Sequence, residues 1–551
     1  MGLTLILSGC GETTKKVRDP NVKVVKSDTF KDAYKFVPPV TVTTFRFYGP
    51  QVKFQKGEDI DNNVWTRAYE KYCGIKLKSD FSVQDFTQFD LKVTTSIATN
   101  SLPDIIPIYT TLFFRVADAG LAMDLTKVYN DYLEPDLKTM MEKANSGITY
   151  KTCKRNGILA AVASSSRPGP SMMWIRQDWL DKLGQKWPKT IYEAIDIMKL
   201  FHQKNAGAPA APETFAFPIT SRISTGFENA FGAYKDIWID DGNGGIMRGD
   251  VSPKWKPVLQ KLSDMYNDNQ LDTSFSLSNQ SLIDSQMTAQ QFGFDFDKGS
   301  APDGALYNSI NTNKNAVWKS GFIPDVNGKP AKMAVDTRVG GFTCVNRDSL
   351  YPEAVMLLAN IYGDLITGIG IEYRQYHDFL APDGVNYDSF FYPLIAMIYP
   401  PIDNTKVIAA AIKSGKNEKY PNLTGEQLGL FDKFKNWTEK KETYGWRLWA
   451  CVYPGGSAYT QNWIIDNNYL YPDRGWGPET PTWIKKGPDL FNKSNIDFTQ
   501  IVRGDKTVDE GFAAWVKYFN DNGGQVATQE MNVWWKAEGE ASFKLFKNGY
   551  K

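Results

Sequence analysis

The chemical inventory of this chain starts with two aspartates set one residue apart. In Phe294-Asp295-Phe296-Asp297 both carboxylates fall on one face of an alternating segment, about 7 Å apart at strand spacing. Carboxylates about 5 to 10 Å apart can act together across a glycosidic bond. Paired acids more commonly hydrogen-bond sugar hydroxyls or cap turns, so Asp295 and Asp297 are read as ligand-binding groups, not catalytic ones. No GxSxG, Walker A or HExxH pattern occurs, which leaves other enzyme classes with less support still. The whole chain holds two histidines, His202 and His377. A histidine-rich metal centre is therefore excluded, and no cofactor is expected. Asp240-Asp241-Gly242-Asn243-Gly244 looks like a calcium loop, but no acid stands at its twelfth position. A hairpin turn with Asn-Gly chemistry fits it better.

Aromatic side chains supply the other candidate chemistry. The chain carries 16 Trp, 27 Tyr and 32 Phe. Indole and phenol rings join an apolar face to a polar edge, which suits ligands that are CH-rich on one side and hydroxylated on the other. Trp238 stands at a turn entry, and Trp446-Arg447-Leu448-Trp449 precedes the loop Tyr453-Pro-Gly-Gly-Ser457. These rings are candidate stacking platforms, with Arg447 a partner for hydroxyls or a uronate; core packing is the competing reading for each Trp. Trp174 and Arg176 lie at an expected crossover, where Arg176 has Asp178 as an alternative structural partner. Trp65, Trp515 and Trp534 follow helical faces and read as packing.

The charges nearly cancel, with 63 Lys and Arg against 62 Asp and Glu, so nothing marks a nucleic-acid surface. The five cysteines form no CxxC pair. Cys73, Cys153, Cys344 and Cys451 are buried thiols or two disulfides, and a chain of this size has little need of staples. Cys10 closes Leu7-Ser8-Gly9-Cys10 after a short apolar run, the form of a lipobox in which Cys10 becomes lipidated. Acyl chains contribute about 0.8 kcal/mol per buried CH₂ to membrane attachment.

The positioning elements follow from periodicity. Val40 to Tyr48 is β-branched and aromatic and reads as a strand. Asn62 and Asn63 cap a helix that closes at Gly74, and Ile75 starts a second strand. Asp85 to Thr99 is helical, and Pro103 to Tyr109 is a third strand. Strand, helix, strand, helix, strand is the signature of a parallel α/β sheet, which binds ligands at the C-terminal ends of its strands. That rule selects Tyr48 to Gln51 and Tyr109 to Leu112 as pocket loops. Met172 to Phe201 then gives a helix stopped at Gly184 and a second helix opened by a Thr190/Glu193 capping box. Ile191, Ile195, Met198 and Phe201 form the apolar face of that second helix.

The run Trp174-Ile-Arg-Gln-Asp-Trp-Leu-Asp-Lys-Leu-Gly184, with Pro188-Lys-Thr190 and Glu193, resembles a segment of the family 1 extracellular solute-binding proteins of bacterial ABC importers. The resemblance is to the branch of large oligosaccharide-binding lipoproteins. Asn63 to Ile75, Leu102 to Ile106, Met123 to Thr126, Gly341 to Asn360 and Met531 to Trp534 match further motifs in family order. The loop after Phe201 lacks the acidic calcium motif of many relatives, so calcium is not carried over. The resemblance implies an α/β, two-lobed, periplasmic-binding-protein-like fold closing about a hinge. It implies a monomeric, non-enzymatic protein that captures an oligosaccharide and delivers it to ABC permease subunits at the outer face of the cell membrane. The expected layout is a lipobox remnant over 1–10, a polar tether over 11–38 and the first part of the N-terminal lobe over 39–172. Mainly C-terminal lobe follows over 173–360, then returning segments over 361–551. Binding of a peptide or other non-sugar solute, or a surface glycan hydrolase or lyase, are the rival functions.

Overall fold

The computed structural model describes residues 17–29, 33–48, 54–84, 86–163, 169–337, 339–367, 408, 411–412, 425–453, 455–477 and 479–544. Cys10, His377 and nearly all of 378–423 lie outside the described residues.

The first lobe is built on a five-stranded sheet. Its order is Ile75–Val83, Val40–Phe47, Ile105–Tyr109, Gly341–Val345 and Val162–Ala163. The first three strands are parallel, as the opening strand-helix alternation predicts, and the last two neighbours pair antiparallel. Ile105, Ile106 and Ile108 are all buried, because a central strand has covered faces on both sides. Helix Val64–Cys73 begins at Asn63, whose side chain accepts from the Trp65 and Thr66 backbone N–H groups. It stops at Gly74, held in the left-handed region at φ 64°. One continuous core joins residues 22–163 to 339–361.

The second lobe centres on Ser171–Arg176, flanked antiparallel by Phe294–Lys298 and Trp318–Gly321. The two-residue period of a strand sorts its side chains cleanly. Met173, Ile175, Phe294 and Phe296 face one core with Trp179 and Phe201. Met172 and Trp174 face the other, with Trp318 and Trp446. The capping box at Thr190 forms, with a shift of one residue. Glu193 N–H donates to the Thr190 hydroxyl at 3.1 Å, while the Glu193 carboxylate accepts from Lys189 N–H at 2.7 Å. Helices Pro481–Val502 and Val508–Phe519 complete the larger core through Phe498 and Trp515.

The chain thus leaves the first lobe after Ala163 and returns before Gly341. Two cores joined by these crossings define a two-lobed, periplasmic-binding-protein-like fold. A smaller cluster bridges the seam, where Ile148 of the first lobe meets Trp238, Trp476, Trp535 and Phe543.

Four expectations are corrected or sharpened. Residues assigned to a tether over 11–38 include the antiparallel strand pair Lys23–Lys26 and Tyr34–Val37. Phe36 of that pair, and Val22 and Ala33 just before each strand, are buried in the first core; three apolar residues among lysines give too weak a periodicity to see in sequence. Residues 339–360, expected mainly in the second lobe, belong to the first, because Gly341–Val345 completes its sheet. Cys73, Cys153, Cys344 and Cys451 are free thiols. Asp240 to Gly245 is a hairpin turn between Trp238–Asp240 and Ile246–Arg248.

Candidate binding site

Two cavities lie on the seam between the lobes, of about 430 and 400 Å³, sizes in the range of small-molecule sites. Helix Thr110–Asp118 supplies a wall of each. It follows directly from the C-terminal end of strand Ile105–Tyr109. Thr111 and Arg115, one turn apart, face the first cavity, and Phe114 faces the second.

Across the first cavity stand Arg222, Asp236, Arg248, Glu479, Trp483 and Phe491 of the second lobe. The Thr111 hydroxyl donates to Glu479 Oε2 at 3.1 Å and ties the lobes together. Arg222 donates to Asp236 Oδ2 through Nε and Nη2 at 3.0 and 2.9 Å. Arg248, almost fully buried, lies with its guanidinium 4.6 Å from the Trp483 ring centre and 5.6 Å from that of Trp238. The cavity therefore offers fixed guanidinium donors, carboxylate acceptors and aromatic edges. Those are groups that hydrogen-bond a polyhydroxylated ligand.

The second cavity sets Lys151, Thr152, Lys154 and Arg155 of the first lobe against Trp476, Trp534, Glu538 and Ser542. Lys151 Nζ donates to Ser542 Oγ at 3.0 Å, a second tie across the seam. Arg155 is committed to Asp118, bonding both carboxylate oxygens at 2.6 and 3.0 Å. The Trp476 and Trp534 rings meet edge to face, 5.0 Å between centres.

The residues selected from sequence fall into separate places. Tyr48 and Tyr109 end their strands on the first lobe and are half-buried against its core, Tyr48 edge-on to Phe54. Burial, then the charge of Asp90, raises the Tyr109 phenol above its ordinary range. Trp174 is fully buried. Arg176 is buried too, with Nε and Nη2 on Asp178 at 2.8 and 2.6 Å and Nη1 on Gln290 Oε1 at 2.7 Å. Trp238 is buried in the seam cluster and packs edge-on to Trp483. Trp446 is buried beside Trp174, whereas Trp449 stacks on the exposed Tyr453 with centres 4.5 Å apart. Arg447 donates to the side chain and backbone of Asp303 at 2.8 and 3.0 Å. Asp295 is buried and paired in register with Trp174; burial, then the charge of Asp297, pushes its carboxyl well above the usual range. Asp297 is half-buried and also raised, burial outweighing the Lys298 N–H that it accepts at 2.6 Å.

The structure thus gathers Trp174, Asp295, Trp446, Trp449 and Tyr453 on one side of the second-lobe sheet, apart from the two cavities. Of the stretches marked by the strand-end rule, Tyr109 to Leu112 delivers Thr111 to the first cavity. Trp476, Trp483, Arg115 and Lys151 were not singled out from sequence, and Trp534, read as packing, borders the second cavity.

Two lobes with cavities along their seam are the architecture of a ligand-binding protein. The sequence model of the bacterial extracellular solute-binding proteins matches residues 53–354, more than half of the chain, and the chain belongs to that family. Lipoprotein LipO of Bacillus subtilis is 21% identical over 283 residues, covering 49% of this chain and 54% of that protein. The polygalacturonan/rhamnogalacturonan-binding protein YtcQ of the same organism is 22% identical over 241 residues, 43% of this chain and 46% of its own. The chain therefore spans about half the length of these curated relatives. Among solved structures, an HMO-binding, ABC-transporter-associated solute-binding protein from Bifidobacterium longum infantis superposes with TM-score 0.62. It is 14% identical, over 91% of this chain and 99% of that one. The alginate-binding protein AlgQ2 gives 0.56 at 15% identity, over 92% and 99%. These likenesses show the fold.

Proposed function

We propose that this protein captures an oligosaccharide between its lobes and hands it to the transmembrane subunits of an ABC importer. In this reading it is a monomer without catalytic activity, held at the outer face of the bacterial membrane by a lipid on Cys10. The observation that carries the reading is the pair of seam cavities, walled by guanidinium, carboxylate and indole groups from both lobes. A ligand touching both walls binds the closed arrangement better than the open one, and that difference drives closure. Polygalacturonan, alginate and HMO ligands named for its relatives support a sugar. The burial of Asp295 supports binding over glycoside hydrolysis.

The test is a thermal-shift and calorimetric screen of oligosaccharides against peptides of similar size. At a hundredfold excess over Kd, binding adds about 2.7 kcal/mol of stability, so a bound glycan raises the melting temperature by several degrees. A clear response to peptides with none to any glycan would overturn the sugar assignment.

A further inference from the structure

We infer that the second seam cavity receives the anionic group of an acidic sugar residue. The inference rests on the oligosaccharide reading above and narrows it to a charge class.

The chain as a whole is balanced to within one charge, so an unbalanced cluster is a local property. On the first-lobe wall, Lys151, Lys154 and Arg155 fall within five consecutive residues, where helix Ile148–Cys153 runs into the next strand. Arg155 is neutralised by Asp118 and also lies in the field of Glu538, the acid of the opposite wall. Lys151 and Lys154 have no carboxylate partner among the described residues. Lys151 donates to a neutral hydroxyl, and Lys154 lies with its ammonium 4.4 Å from the Tyr150 ring centre. With Glu538 on the opposite wall set against them, the two ammonium groups leave the cavity one net positive charge.

The opposite wall carries a second, independent sign of a missing partner. The indole nitrogens of Trp476 and Trp534 are shielded from solvent, and neither finds an acceptor. Trp476 as a residue is only 6% exposed. A buried donor without an acceptor is destabilising, and here two of them border one cavity across from the two lysines. With the lobes in direct contact both donors are wasted. A ligand seated between the walls separates them slightly and supplies oxygen acceptors. An anionic oxygen suits the ammonium groups of one wall and the indole N–H donors of the other, since hydrogen bonds to ionised acceptors are the stronger ones. The rings of Trp476 and Trp534 meanwhile give the sugar's CH groups an apolar wall. A carboxylate and a sulfate ester share this chemistry, and the experiment separates them.

The intact protein is titrated calorimetrically with oligogalacturonate, oligoglucuronate and alginate oligomers. Their fully methyl-esterified forms, a sulfated galactan oligomer and neutral oligosaccharides complete the panel. The inference predicts at least tenfold tighter binding of an acidic oligomer than of its methyl ester, a preference that shrinks as salt rises. Response to the uronates or to the sulfated oligomer identifies which anion the cavity takes. Lys154→Met, at an exposed position that makes no tie across the seam, is expected to lose about tenfold in affinity for the acid at an unchanged melting temperature. The same variant should leave affinity for the ester unaltered. Trp534→Phe, which keeps an aromatic, smaller ring and removes the N–H, is expected to weaken binding of the acid severalfold. Equal binding of acid and ester, or a preference for neutral sugars, overturns the inference and leaves the oligosaccharide reading standing. Silence toward every glycan overturns both.

Discussion

Asp295 and Asp297 show how neighbours turn a pair of carboxylates from one chemistry to another. Their alternation admitted acid-base work across a glycosidic bond, but the strand that carries them turns Asp295 into a buried layer beside Trp174 and Trp446. Burial favours the neutral form, and the nearby Asp297 adds like-charge repulsion. The folded state therefore holds protons more tightly here than the unfolded chain does. Between the ordinary carboxylate range and the raised folded value, stability falls as pH rises. Asp295→Asn keeps the volume and removes the charge. It is expected to raise the urea midpoint at pH 7 and to flatten its dependence between pH 5 and 8. An unchanged slope would show that Asp295 ionises freely in the fold. Arg176 teaches a related lesson from the opposite sign. Of its two sequence readings, hinge contact or partner of Asp178, the structure displays the second, with Gln290 completing the fork.

At the level of elements, the helix stops make the sharpest quantitative test. Gly74 and Gly184 both sit at φ 64°, one after each helix. A Cβ on Gly74 would lie 2.2 Å from the Phe36 carbonyl oxygen, whereas a Cβ on Gly184 would meet nothing within 4 Å. Gly184→Ala is expected to cost about 1–2 kcal/mol, the left-handed strain alone. Gly74→Ala should cost clearly more, because backbone of the Tyr34–Val37 strand must also move. Urea titration of both variants reads the difference, and equal costs would mean that the strand yields freely. Both stops were legible in the sequence, as were the Asn63 and Thr190 caps and the opening strand-helix alternation, because each is written in a few adjacent residues. The Tyr34–Val37 strand was not, because its few buried apolar residues among lysines give too weak a periodicity, and neither was the placement of Gly341–Val345, whose partner strand lies far away in sequence and leaves no local trace. The same limit governs the candidate site. Thr111 was reachable through the strand-end rule, while Trp476, Trp483 and Trp534 sit in turns and helices whose periodicity looks like packing. Only the meeting of two lobes makes a seam out of them.

For the whole molecule, the described residues tie the lobes across the seam through Thr111 to Glu479 and Lys151 to Ser542. A net hydrogen bond to a charged group is worth about 1.5–3 kcal/mol, enough to move the balance between open and closed lobes more than tenfold. Glu479→Ala is therefore expected to enlarge the ligand-free radius of gyration in solution scattering. Saturating ligand should restore the wild-type value. Identical ligand-free curves would place the hinge balance elsewhere in the seam.

The first-lobe sheet has one more consequence, which concerns the order in which the chain is made. Strand Gly341–Val345 lies between Ile105–Tyr109 and Val162–Ala163, so a nascent chain that has reached Ala163 holds an incomplete sheet with an apolar edge at Ile105–Tyr109. That edge waits for its antiparallel neighbour until Val345 has been synthesised, after most of the second-lobe sheet is already available. The lobe that comes first in sequence thus completes its sheet only after the three strands of the second-lobe sheet have been made. Its exposed edge is a template for wrong pairing, and holding the early chain unfolded until Val345 emerges protects it.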